Sequence, residues 1–390
     1  YQLTGGASAG LAVAFNAPLT GIVFAFEEAH RRFTPAIFIC AFSSVLSSII
    51  TRNLLFELMH MEVTSTFTTV TLVQMPLKTY GYVAIAAIIS GLLGFGFYSL
   101  CLLSRKIFAK ITFAKGLGKM LIPFVAAGVF GLISVSVMGG GHSFIQSLGT
   151  LGGMREQSIA AIFSSPVVVS LLLVLVMRIV ATVFNLGAGV PCGIFIPMLS
   201  IGACVGALVS KLCGAIGMDA VYGDCIVMIC MATFFASIVK APITAIVMIV
   251  ELTWQFTLLV PVILGVSFGY MVSEIFGAKP IYEVILDGIL EDEHVHLTRH
   301  SYTTTIEEGS IAMNKPIRDV LWPGNLLIRS IKRGDEIVVA SSDTVLRAGD
   351  EITVQTECVD FDRFKVWVDE IVKPRKRFAL RTSRKTTKRN

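Results

Sequence analysis

The sequence predicts an all-α polytopic membrane protein carrying a small α/β domain at its C-terminal end. Three observations lead there. Hydrophobic residues make up 54% of the 390-residue chain and charged residues only 15%, against roughly a quarter charged in a soluble protein. Apolar runs of about 20 residues, the length a helix needs to cross a bilayer, recur as far as residue 276. Hydropathy then collapses after about residue 290, and short alternating segments replace the long runs.

Taken in order, spans are expected near 35–51, 81–103, 120–138, 166–184, 198–216, 221–238 and 258–276. Apolar pieces at 5–15, 17–29 and 242–252 are too short to cross alone. They read as re-entrant helices or helices covered by neighbours. The chain opens inside a Gly-rich apolar segment, YQLTGGASAG, and is read as part of a longer one. Cys40, Cys101, Cys192, Cys204, Cys213, Cys225, Cys230 and Cys358 form no CxxC pair. They read as small hydrophobes rather than disulfides or zinc ligands.

Charge is unevenly placed. The tail 373–390 holds nine Lys/Arg and no acid, and the loop 104–119 holds five basic residues and no acid. The excess of positive residues on the cytoplasmic side of membrane proteins puts both inside, and the loop after residue 51, with Glu57 and Glu62, outside. The tail either touches anionic headgroups or stays solvated.

One phrase occurs twice. FNAPLTGIVFAFEE (15–28) aligns with VKAPITAIVMIVEL (239–252), with identities at Ala17/Ala241, Pro18/Pro242, Thr20/Thr244, Ile22/Ile246, Val23/Val247 and Glu27/Glu251. After a one-residue gap, Phe33-Thr34 matches Phe256-Thr257. The chain therefore contains two related halves, as many secondary transporters do, with substrate sites at the repeat interface. Proline opens each short helix, where its missing N–H costs nothing. Glu27 and Glu251 correspond, which points to a shared structural role at helix ends. Glu28 faces Leu252 in the alignment. A carboxylate present in only one half is a candidate for proton handling; the alternative is an interfacial residue beside His30, Arg31 and Arg32.

The stretch NLGAGVPCGIFIPMLSIGA (185–203) places Gly187, Gly189, Pro191 and Gly193 within seven positions. No continuous helix survives that density, and irregular backbone at membrane depth must be covered by protein or line a wet cavity. Pro197 suits the first turn of the next helix, leaving the amides of Ile194 and Phe195 at a helix N-terminus. Unpaired amides and the positive end of the helix dipole favour an anion, and a site without Lys or Arg releases it readily. A purely structural kink is the alternative.

These stretches resemble one family. GIFIP (193–197) is similar to the GxFxP motif of the CLC chloride channels and proton-coupled chloride transporters, NAPLTGIVFAFEE to the segment bearing their internal proton glutamate, and KPIYEVIL (279–286) to their short last helix. The resemblance covers about residues 1–290 and implies an inverted repeat, a homodimer and one anion pathway per subunit. It implies chloride bound at Gly193, Ile194 and Phe195, contacted by the Tyr282 hydroxyl, with Glu28 on the proton route. From the residues alone, Tyr282 reads rather as an interfacial anchor. The carboxylate at Glu28 leans toward proton-coupled chloride exchange rather than a passive chloride channel. The family's gating glutamate and central serine are expected upstream of residue 1, and the choice among chloride, nitrate and fluoride rests largely on those segments.

The chain is divided into a membrane domain, 1–290, a polar linker, 291–305, a regulatory domain, 306–372, and the basic tail, 373–390. Gly-Asp-Glu precedes both IVVA and ITVQ, supplying turns ahead of strands. The module resembles the TrkA-C (RCK_C) type, which implies dimerisation and, in some members, a small ligand such as a nucleotide; it reads equally as a sensor or as a dimer clamp alone. His294, His296 and His300 lack a supporting Cys cluster, so no metal is expected. No HExxH, GxSxG or P-loop occurs, so neither an enzyme nor a cofactor is expected, and nothing points to nucleic acid. Expected partners are chloride, protons, the lipid bilayer and a second subunit. The expected location is a bacterial plasma membrane with the C-terminal domain in the cytoplasm.

Overall fold

The computed structural model describes residues 2–31, 33–61, 72–111, 117–134, 137–141, 144–145, 166–292, 298–323, 326–358 and 361–374. Glu62, His294, His296 and the tail beyond Pro374 lie outside these residues. The chain divides into two compact units, Tyr1–Asp292 and Glu293–Asn390.

The first unit is helical: α1 (Gln2–Phe15), α2 (Pro18–Phe24) continued by a π-helical turn (Ala25–Ala29), α3 (Pro35–Leu58), α4 (Tyr80–Ala109), α5 (Leu117–Ile133), α6 (Pro166–Gly187), α7 (Phe195–Ala215), α8 (Gly223–Val239), α9 (Pro242–Thr253), α10 (Leu259–Ile275) and α11 (Ile281–Asp292). Among the described residues, six helical stretches are long and apolar enough to cross a bilayer: 35–58, 77–109, 167–187, 195–215, 220–239 and 256–275. The run expected to span 120–138 is instead the shorter α5, with Pro123 inside it; positive φ at Gly139 and Gly141 marks turns beyond.

Every residue of α8 is buried. The helix is apolar all round because it has protein on every side: α7, α4 and α10 pack along it and α9 follows it. Close backbone approach makes this enclosure possible. A Cβ on Gly206 of α7 would lie 2.6 Å from Val227 Cα, so only glycine fits there.

The second unit is a four-stranded antiparallel sheet in the order β1-β4-β2-β3, built from β1 (Thr298–Thr305), β2 (Leu326–Arg333), β3 (Glu336–Val338) and β4 (Glu351–Cys358), followed by α12 (Phe361–Val372). Ile331, Ile352 and Val354 of the sheet and Phe364, Val368 and Ile371 of α12 form its core. Gly334 and Gly349 take positive φ in the turns before β3 and β4, as the Gly-Asp pairs imply. The expected linker, 291–305, is corrected at 298–305. Those residues are β1, paired with β4 from Thr298↔Cys358 to Thr305↔Glu351. Its sequence, TRHSYTTT, is polar enough to pass for a linker, but threonine favours a half-buried strand.

Candidate functional site

The repeated phrase is repeated in backbone as well as in sequence. Asn16 and Lys240 both take left-handed φ, 52° and 64°. Ala17 and Ala241 then share the same N-cap conformation, with ψ of 76° and 75°. Alanine cannot cap a helix with its side chain, so each half borrows a carboxylate from the other. Glu27 accepts from the amides of Ile243 (2.8 Å) and Thr244 (2.5 Å) and from the Thr244 hydroxyl (2.7 Å). Glu251 accepts from the amides of Leu19 (2.8 Å) and Thr20 (2.7 Å) and from the Thr20 hydroxyl (2.7 Å). Each carboxylate lies at the far end of one helix and caps the near end of the other. The helices α2 and α9 therefore run antiparallel, the relation an inverted repeat requires.

The symmetry breaks one residue later. The one-residue gap in the alignment is taken up by the π turn Ala25–Ala29, where the His30 amide reaches back five residues to Ala25 O. A π turn accommodates one residue more than an α turn, and such bulges gather at functional sites. Beyond the gap the halves are in step again: Arg31 and its counterpart Trp254 both take left-handed φ, 51° and 55°. Glu28 sits in the inserted turn. Its carboxylate lies beside the Tyr282 hydroxyl on α11, and its Oε2 is buried with no hydrogen-bond partner among the described residues. Arg31 pairs with Glu283, and Thr4 Oγ1 lies 2.6 Å from His30 Nε2.

The broken helix forms as its glycines and prolines demand. α6 ends in a Schellman closure: Val190 N donates to Asn185 O (3.1 Å) around Gly189, whose φ is +71°. Residues 190–194 have no regular structure, and α7 starts at Phe195 with Pro197 in its first turn. Among the described residues, no acceptor pairs with the Ile194 or Phe195 amide. A Cβ on Gly193 would meet nothing within 4 Å, so this glycine borders open space. The Phe195 ring is seated between Phe15 (4.9 Å) and Phe235 (4.8 Å), which fixes the first turn of α7.

The structure thus sets Glu28 beside Tyr282. No hydrogen bond or ring contact among the described residues joins Tyr282 to Gly193, Ile194 or Phe195. The His300 ring stacks on Phe361 at 4.3 Å, and the described residues contain no cluster of His, Cys, Asp and Glu fit for a metal. Sequence reasoning missed Arg178, a buried arginine on α6 that donates to Ser200 Oγ on α7 (2.9 Å) and lies 4.7 Å over the Phe144 ring. A lone charge in the run LLLVLVMRIVATVF was the available signal.

An antiparallel pair of short capped helices, a broken helix whose first amides have no acceptor among the described residues and an asymmetric buried carboxylate define an inverted-repeat membrane protein. The chain belongs to the voltage gated chloride channel family, whose model matches residues 2–274; residues 303–366 match the TrkA-C domain. The chain is 31% identical over 295 residues to the H(+)/Cl(−) exchange transporter ClcA of Cronobacter sakazakii, an alignment covering 73% of this chain and 58% of that protein. It is 31% identical over 303 residues to the transporter of the same name from Vibrio cholerae, covering 75% and 60%. The chain therefore spans 58–60% of the length of these curated relatives. Among solved structures it resembles a slow cyanobacterial Cl−/H+ antiporter, with a TM-score of 0.61, 26% identity and coverage of 75% of this chain and 65% of that one. The fold is also that of a eukaryotic CLC transporter, with a TM-score of 0.55, 21% identity and coverage of 83% and 51%.

Proposed function

We propose that this protein exchanges chloride for protons across a membrane, with Glu28 carrying the proton and the Ile194 and Phe195 amides, beside Gly193, holding the anion. The observation that supports coupling is the contrast between adjacent carboxylates. Glu27 spends both oxygens on helix caps, whereas Glu28, beside Tyr282, keeps a buried oxygen uncommitted. A group that gains and loses a proton during turnover must not be committed to a cap. Tyr282 lies beside Glu28, and in this reading its hydroxyl also contacts the anion, as the family resemblance implies. The similarity to ClcA exchangers agrees with it.

In the same reading the protein works as a homodimer in a bacterial plasma membrane, with the TrkA-C unit in the cytoplasm as a ligand-responsive regulator and a nucleotide as its candidate ligand. The test is flux from liposomes containing the intact protein. A chloride gradient drives proton movement in the wild type, and Glu28→Gln abolishes that movement while chloride flux continues. Chloride flux without proton movement in the wild type identifies a passive channel instead, and proton movement surviving in Glu28→Gln makes Glu28 structural.

A further inference from the structure

Three consecutive residues at the start of α11 are held from outside the helix. Tyr282 faces Glu28 of the π turn. Glu283 pairs with Arg31, just beyond that turn. The carbonyl of Val284 accepts from Arg105, in the last turns of α4. Ile281 is fully buried and Val284 nearly so. The first turn of α11 is thus anchored on one side by apolar packing and on the other by two arginines. Arg31 itself holds left-handed φ, a conformation a non-glycine residue adopts only at a cost, so its side chain is aimed at Glu283 by a backbone that its surroundings must sustain.

We infer that Arg31 and Arg105 clamp the first turn of α11 and thereby position the Tyr282 hydroxyl against the Glu28 carboxylate, making both arginines positioning residues for proton transfer. The inference rests on the exchanger reading. Proton transfer requires partners within hydrogen-bond reach, and a displacement of ~1 Å can cost about 100-fold in rate. The two contacts divide the work: Arg31 fixes the turn to α11 through a side chain, and Arg105 fixes the same helix turn to α4 through the main chain. The side chains of the Arg31–Glu283 pair are 40% and 50% exposed. Pairs so exposed add little to stability, so losing this one should leave the fold intact and register in coupling.

The experiment measures proton and chloride flux together, with the intact protein in liposomes. Arg31→Gln and Glu283→Gln are each expected to lower protons moved per chloride by about tenfold while chloride flux persists. The exchange Arg31→Glu with Glu283→Arg is expected to restore coupling. Arg105→Lys is expected to keep coupling and Arg105→Met to lose it. An unchanged ratio in Arg31→Gln and Glu283→Gln overturns the clamp, as does a loss that the charge exchange fails to recover. Wild type and Glu28→Gln run in parallel: absence of proton movement in the wild type defeats the exchanger reading itself, and proton movement surviving in Glu28→Gln removes Glu28 from the proton route, whatever the arginines do.

Discussion

Glu27 and Glu28 are neighbours in sequence with opposite relations to their surroundings. Each oxygen of Glu27 answers amide donors at the start of α9, and Glu251 answers those of α2. Removing either carboxylate strands donors away from water, at about 1–3 kcal/mol for each buried group. Glu27→Ala and Glu251→Ala are therefore expected to lose about 2–4 kcal/mol each and by similar amounts, measured as thermal unfolding in detergent. Glu28→Gln removes a charge whose Oε2 has no partner among the described residues, so its stability should stay within about 1 kcal/mol of wild type. A large loss for Glu28→Gln would mean that this carboxylate, like its neighbour, holds the fold.

At the scale of elements, the proposed anion site depends on where helices stop. Gly189 permits the left-handed residue that ends α6, and Pro197 suits the start of α7. Gly189→Ala should destabilise by about 1 kcal/mol through backbone strain. Gly206 is a different case, because its role is contact rather than conformation. A leucine there would drive α7 from α8 and should cost about 1–3 kcal/mol or more, lowering the melting temperature and tilting the helix that presents the Ile194 and Phe195 amides. Preserved stability in Gly206→Leu would contradict the close approach of these helices. The broken helix was readable in sequence because glycine and proline act locally. The reciprocal caps were half readable: the repeat revealed that Glu27 and Glu251 correspond, but not that each serves the opposite half.

For the whole molecule, the two units obey different chemistry. In the C-terminal unit Asp350 is buried, 1% exposed. Burial opposes its charge, but Arg333 (2.8 Å from Nε and from Nη2) and the Arg347 amide (2.8 Å) outweigh burial and hold its carboxyl below the usual carboxylate range. A carboxylate with a depressed value in the folded state adds stability that is fully present above the unfolded value, about 3.9, and is lost as pH falls through the folded one. Unfolding followed by the fluorescence of Trp322 and Trp367, with Trp254 replaced by Phe, should show the C-terminal unit weakening below about pH 4. Asp350→Asn should cost about 2–3 kcal/mol near neutral pH and flatten that dependence. Equal acid sensitivity in Asp350→Asn and wild type would refute the assignment. The contacts that sequence left illegible span long separations: Arg31 meets Glu283 across 252 positions, and β1 is polar enough that only its pairing with β4 reveals it.

Main-chain donors at the start of α7 are the foundation of the proposed anion site, and heavy-halide crystallography tests them most directly. Crystals of the intact protein grown in bromide should give an anomalous peak within hydrogen-bonding reach of the Ile194 and Phe195 amides. Density showing those amides bonded to protein acceptors, with no bromide beside them, would contradict the account.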